Sequence, residues 1–87
     1  MNYILATFSS RNETLAFARL VGSNGMSTQI INTPSMLSGQ GCSISVRLPG
    51  NALALAQRLL SSARFQTFKG FYIAYYQNGR MMVEKVA

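Results

Sequence analysis

One thiol holds most of the chemical reactivity available to this chain. Cys42 is its single cysteine, and the sequence contains no histidine and no aspartate. No Cys–His pair can form, which excludes protease-like and acyl-transfer catalysis. A CxxC redox pair would need a second cysteine. A metal site would need several His, Cys or carboxylate ligands, and the only carboxylate side chains, Glu13 and Glu84, stand far apart in sequence. No metal and no cofactor are therefore expected. What remains for the thiol is to accept and pass on a sulfur-like atom, or to respond to oxidation. A carrier of that kind needs only exposure and a docking surface, because its donor and acceptor enzymes supply the acid and base groups. The chain is accordingly read as a carrier or binding protein rather than as an enzyme.

The surroundings of Cys42 allow two placements. Gly39 and Gly41 let the backbone bend so that amide N–H groups could face an anion beside the sulfur. Against this, Cys42 shares its parity with Ile44 and Val46. If a strand already begins at Cys42, the side chain points into the core as a small hydrophobe. The residues alone leave both placements open.

The elements that must position this thiol are legible from patterning. Tyr3 to Phe8 is a short apolar stretch that reads as a first strand. Ser10-Arg11-Asn12-Glu13 fits a capping box, in which the glutamate reaches back to the cap amide. The helix that follows places Thr14, Phe17, Ala18 and Val21 on one face, and Gly22 and Gly25 supply its left-handed end. Thr28 to Ile31 is a second, β-branched strand. Asn32 to Gly41 is a loop, barred from ladder pairing at Pro34. Cys42 to Leu48 alternates, with Ile44, Val46 and Leu48 facing one way and Ser43, Ser45 and Arg47 the other. Asn51 is placed as the cap of a second helix whose stripe is Ala52, Leu55, Ala56, Leu59, Leu60 and Ala63. A strand from about Gly70 to Tyr76, the turn Asn78-Gly79 and a strand from Arg80 to Val86 form a hairpin.

The order β-α-β-β-α-β-β predicts an α+β fold. It is a ferredoxin-like β-α-β-β-α-β sandwich, an antiparallel sheet with two helices on one face, extended by a C-terminal β-hairpin. Residues 1–87 form a single domain. The uncovered sheet face would carry Ser43, Ser45, Arg47 and part of the tyrosine and phenylalanine set. Such a face suits an interface.

Eight Lys/Arg residues against two glutamates give a net charge of +6, scattered along the chain without a basic run. That surface attracts phosphates or acidic partners without defining a groove. Arg47 and Lys69 are the cations read as anion or partner contacts. Lys69-Gly70-Phe71-Tyr72-Ile73-Ala74-Tyr75-Tyr76 is similar in residue type to an RNA-recognition strand. It follows the second helix, however, where that motif would precede it, so nucleic acid is not the expected partner and core or dimer packing is the simpler reading. Gly39-Gln40-Gly41 is not followed by a helix and lacks the Gly-Lys-Ser ending of a phosphate loop. The N-terminus has no basic region before its apolar residues, no apolar run reaches about 20 residues, and one cysteine makes no internal disulfide. A cytoplasmic protein without a membrane segment is expected.

Thr33-Pro34, Leu37-Ser38 and Cys42-Ser43-Ile44-Ser45-Val46-Arg47-Leu48 together resemble the selenium/sulfur carrier protein-like family of small bacterial proteins, often found beside sulfur- and selenium-handling genes. In that family a first strand ends in a Phe-Ser/Thr turn, as Phe8-Ser9-Ser10 does here. A helix and strand then lead to a Thr-Pro loop and a Ser-x-x-Cys-Gly segment before an alternating strand. The resemblance covers roughly residues 2 to 76 and rests mainly on the loop. It implies that Cys42 is the carrier atom, framed by Thr33, Pro34, Ser38, Gly39, Gly41 and Ser43, with sulfur- or selenium-handling enzymes as partners. Ser43 stands where the family has glycine, and the Pro34–Cys42 stretch is about one residue longer. The competing function is a non-catalytic interaction or regulatory module, homodimeric through the open sheet face. Single-stranded RNA binding comes third.

Overall fold

The computed structural model of the chain describes residues 2–37, 39 and 42–87. Eight elements follow in order: β1 (Tyr3–Phe8), α1 (Arg11–Ser23), β2 (Gln29–Asn32), a 3-10 helix (Ser35–Leu37), β3 (Ile44–Pro49), α2 (Leu53–Ser62), β4 (Phe68–Gln77) and β5 (Arg80–Lys85). The strands form one antiparallel sheet in the order β2-β3-β1-β4-β5. The first four interleave two split β-α-β units, compatible with the expected ferredoxin-like sandwich, and the final hairpin adds β5 to its edge. Among the described residues, no helix is long and apolar enough to cross a membrane.

Alternation along the strands creates two unequal cores. Ile4, Ala6, Phe8, Val46, Leu48 and Phe71 point to the helix side, where Phe17, Ala18 and Val21 of α1 and Ala56 of α2 cover them. All five phenylalanines of the chain meet there: Phe8 lies 5.3 to 5.4 Å from the rings of Phe17, Phe65 and Phe68, and Phe71 packs on Phe17 and Phe68. This corrects the expectation that phenylalanines would share the open face. The opposite face is not bare either. Leu37 of the 3-10 helix folds over Leu5, Tyr72 and Ala74, with Tyr3, Ile31, Met81 and Val83 around them. Ser45 is fully buried on that side rather than exposed.

Part of the aromatic strand is taken up by these cores, while Tyr76 stays exposed. Phe71 is buried under the helices and Tyr72 in the second cluster, so neither ring is free to stack on a base.

Local chemistry accounts for most element ends. The Ser10 hydroxyl accepts the Glu13 amide at 3.3 Å, as a cap should. Gly25, at φ +85°, takes the left-handed residue after α1, while Gly22 stays inside the helix. Asn78 and Gly79 both take positive φ, the requirement of the tight turn between β4 and β5. Asn51, by contrast, does not cap α2. Ala52 occupies the cap position without a side-chain bond, its amide turned back to the Pro49 carbonyl at 3.0 Å. Ala52 is buried and Asn51 exposed, so core packing of the small residue sets this helix start. The stripe on α2 also shifts: Leu53, Leu59 and Leu60 pack against the core in a half-buried way, and only Ala56 within the helix is fully buried.

The Glu13 carboxylate does not close the capping box on Ser10. It accepts the Gln66 amide at 3.0 and 3.1 Å, the Thr67 amide at 2.7 Å and the Thr67 hydroxyl at 2.5 Å. The Thr67 oxygen in turn accepts the Ser10 amide at 3.2 Å, so the cap is relayed through the segment that leads into β4. The Thr67 hydroxyl, then the Gln66 amide, hold Glu13 below the ordinary carboxylate value of 4.5. A depressed carboxylate contributes stability that is fully present above its ordinary value and lost as pH falls through the folded one. The melting temperature of the wild type should therefore drop between pH 7 and about pH 3 by more than that of Glu13→Gln, which lacks the titrating group. Equal acid losses in the two proteins would remove Glu13 from this role.

Candidate functional site

The loop that delivers Cys42 is tied at both ends. After β2, Thr33 donates its amide to the Ser43 carbonyl at 2.8 Å. Leu37 returns its amide to Pro34 at 2.9 Å, closing the 3-10 turn, and its side chain anchors the loop in the second core. Gly39 sits at φ +85°, a conformation that favours glycine. On the far side, the Cys42 amide donates to the Phe8 carbonyl at 2.8 Å, continuing the β1–β3 pairing past the start of β3. The Thr33 hydroxyl donates to the Cys42 carbonyl at 2.8 Å. Of the residues expected to frame the thiol, Ser38 and Gly41 lie outside the described residues.

Cys42 ends up between the two placements its sequence allowed. It precedes β3 and is half-buried. Its thiol donates to the Ile44 carbonyl, with sulfur and oxygen 3.1 Å apart. The Thr14 hydroxyl oxygen stands 3.4 Å from the sulfur. Thr14 is fully buried in the first turns of α1, and its hydroxyl also reaches the Ser10 carbonyl at 2.9 Å. The sulfur thus borders the start of α1, and Cys42 itself lines a surface cleft.

That cleft has a volume of about 380 Å³ and is lined by Cys42 with Thr33, Pro34, Ser35, Leu37, Gly39 and Ser43. Hydroxyls and apolar side chains share its wall, and none of the described lining residues is charged. The sequence carries no charged residue between Arg19 and Arg47.

The structure brings Thr33, Pro34, Gly39 and Ser43 together with Cys42, and leaves two expected contacts elsewhere. Arg47 stacks 4.3 Å over the Tyr3 ring and donates to the Gln29 side-chain oxygen at 3.2 Å. It lines a separate cleft of about 410 Å³ with Asn2, Ser27 and Pro49. Lys69 is exposed on β4 and does not line the cleft of Cys42. Three residues were not expected at the site: Thr14, Ser35 and Leu37. Thr14 could have been found, being the one hydroxyl in the apolar stripe of α1. Leu37 needed the fold, because its partners come from strands distant in sequence. Among the described residues, no group of three or more His, Cys, Asp or Glu could hold a metal ion.

Residues 3–72 match the model of the family described as "Putative Se/S carrier protein-like". No curated protein and no solved structure matches the chain.

Proposed function

The chain belongs to the Se/S carrier protein-like family, and from that premise we propose that it carries a sulfur or selenium atom on Cys42. The observation that supports this most is the place of half-buried Cys42 in the lining of an open cleft, with the Thr14 hydroxyl beside its sulfur. A cleft of about 380 Å³ lies within the range of small-ligand sites. It can receive the end of a donor cysteine bearing one extra sulfur.

The step is a thiol–disulfide-type exchange. The Cys42 thiolate attacks the terminal sulfur of a donor enzyme's cysteine persulfide. A new S–S bond forms on Cys42 as the donor's own S–S bond breaks, and the donor thiolate leaves with the electron pair. The transferred atom keeps its oxidation state, so no outside oxidant or reductant is consumed. With a selenium-loaded donor the same displacement yields Cys42–S–Se⁻. An acceptor enzyme then attacks the terminal atom and Cys42 leaves as thiolate. Neither step requires a histidine or aspartate from this chain; the donor and acceptor provide proton transfer. The net charge of +6 favours acidic partner surfaces around an uncharged docking cleft.

Mass spectrometry after incubation with a cysteine desulfurase and cysteine tests the reading. Wild type should gain the mass of sulfur on Cys42 and lose it to a reductant, whereas Cys42→Ser should gain none. No added sulfur on wild type, or equal addition to the serine variant, would refute it.

A further inference from the structure

We infer that Thr14 is a positioning residue for the Cys42 sulfur, its hydroxyl switching between the Ser10 carbonyl and the ionised thiol. The inference deepens the carrier reading and takes its purpose from it, although the test below does not depend on that reading.

The geometry carries the argument. The sulfur has one proton, and the Ile44 carbonyl at 3.1 Å can only accept, so the neutral thiol spends its proton there. Thr14 also has one hydroxyl proton and two acceptors within reach, the Ser10 carbonyl at 2.9 Å and Sγ at 3.4 Å. While Cys42 is neutral, the backbone carbonyl is the better acceptor, the usual back-bond of a helical threonine. Loss of the thiol proton reverses the ranking. The sulfur becomes an anion, the Ile44 carbonyl turns from partner to repulsive neighbour, and a bond from the Thr14 hydroxyl becomes charge-assisted. The hydroxyl need only rotate, with no backbone movement.

No other side chain described at the sulfur donates to it. The Thr33 hydroxyl is committed to the Cys42 carbonyl at 2.8 Å. The charged residues on the first turn of α1 are Arg11, which is exposed, and Glu13, whose carboxylate is bound to Gln66 and Thr67. The loop and β3 bring no charged side chain before Arg47, which is engaged with Tyr3 and Gln29. β1 contributes the Phe8 carbonyl, which holds the Cys42 amide at 2.8 Å. Among the described residues, Thr14 is thus the side chain placed to follow the ionisation of Cys42, and it is held in place by complete burial.

The test is the rate of iodoacetamide alkylation of the native chain from about pH 5 to about pH 10, with melting temperature recorded alongside. Thr14→Val keeps the shape and removes the hydroxyl; Thr14→Ser keeps the hydroxyl. The valine variant should have its rate–pH profile displaced to higher pH, with alkylation at pH 7 roughly tenfold slower, while the serine variant stays on the wild-type profile. Coincident profiles for valine and wild type overturn the inference, as does an equal displacement of the serine variant. If Thr14→Val does not fold, Thr14→Ala carries the same comparison with the same two outcomes. No sulfur donor enters the assay, so failed persulfide loading leaves the result standing, and coincident profiles refute the role of Thr14 without touching the loading.

Discussion

Phe8→Ala should cost about 3–5 kcal/mol of folding stability, the largest single loss among core positions of this chain. Phe8 is fully buried at the end of β1, and its ring touches three of the other four phenylalanines at 5.3 to 5.4 Å. Through Phe65 and Phe68 it joins the segment after α2 to α1, so truncation opens a cavity that no single element can close. The neighbouring rings are stiff and already pack on one another, at 5.5 Å for Phe17 and Phe65 and 4.8 Å for Phe68 and Phe71, which limits collapse. A small domain holds only about 5–15 kcal/mol in total, so this variant should sit near its folding threshold. Urea unfolding at constant m-value measures the loss, and a deficit below about 1 kcal/mol would show that the cluster repacks. A second effect follows from the backbone. The Phe8 carbonyl holds the Cys42 amide, so disordering the end of β1 should also release the thiol to bulky reagents before global unfolding.

The same residues show why the fold could be read from the sequence and where that reading stops. The stripe Thr14, Phe17, Ala18 and Val21 is the buried face of α1, because a 3.6-residue period has only one way to meet a sheet. Asn78-Gly79 forms its hairpin because both positions need positive φ and few other pairs tolerate it. Asn51 failed as a cap because a side-chain bond worth about 1 kcal/mol competes with burial of Ala52, which the apolar stripe already pointed to but whose weight against the cap it does not give. The capping box failed in its second half for a similar reason. Glu13 found three donors around Gln66 and Thr67, more than fifty residues away, which together outweigh a single cap amide.

The site was legible as a loop and illegible as a pocket. Thr33, Pro34, Gly39 and Ser43 surround Cys42 because they are its neighbours in the chain. The groups behind the sulfur come from α1 and β1, and the wall opposite comes from Leu37, fixed by its contacts with Leu5, Tyr72 and Ala74. Period-two alternation also misjudged Ser45. Alternation assigns a face, not its exposure, and the 3-10 helix that covers this one has no apolar repeat to announce it. Arg47 was drawn to the site by charge alone, yet a strand advances about 3.3 Å per residue, so five positions separate it from Cys42 by a distance its side chain does not span.

Thr33→Val should cost about 2–3 kcal/mol and change the reactivity of Cys42, although it alters neither shape nor charge. The Thr33 oxygen lies 2.8 Å from the Cys42 carbonyl and 2.6 Å from the Ser45 oxygen. A carbonyl can only accept, so the one proton of Thr33 goes to Cys42 and Ser45 must be the donor in the second bond. Valine therefore orphans two groups at once, a backbone carbonyl beside the reactive sulfur and the hydroxyl of a fully buried serine. Every other buried side-chain nitrogen or oxygen among the described residues would keep its partner, so the loss is confined to this pair. Ser45→Ala on the valine background removes one orphan, and the double variant should be more stable than the sum of the single losses predicts. Strict additivity in urea melts would mean that water already serves these groups. The site should respond in parallel: with its carbonyl released, Cys42 should react faster with a bulky disulfide reagent in Thr33→Val, and Thr33→Ser should restore the wild-type rate. Faster reaction without that restoration would place the effect in general loosening of the loop rather than in the threonine bond.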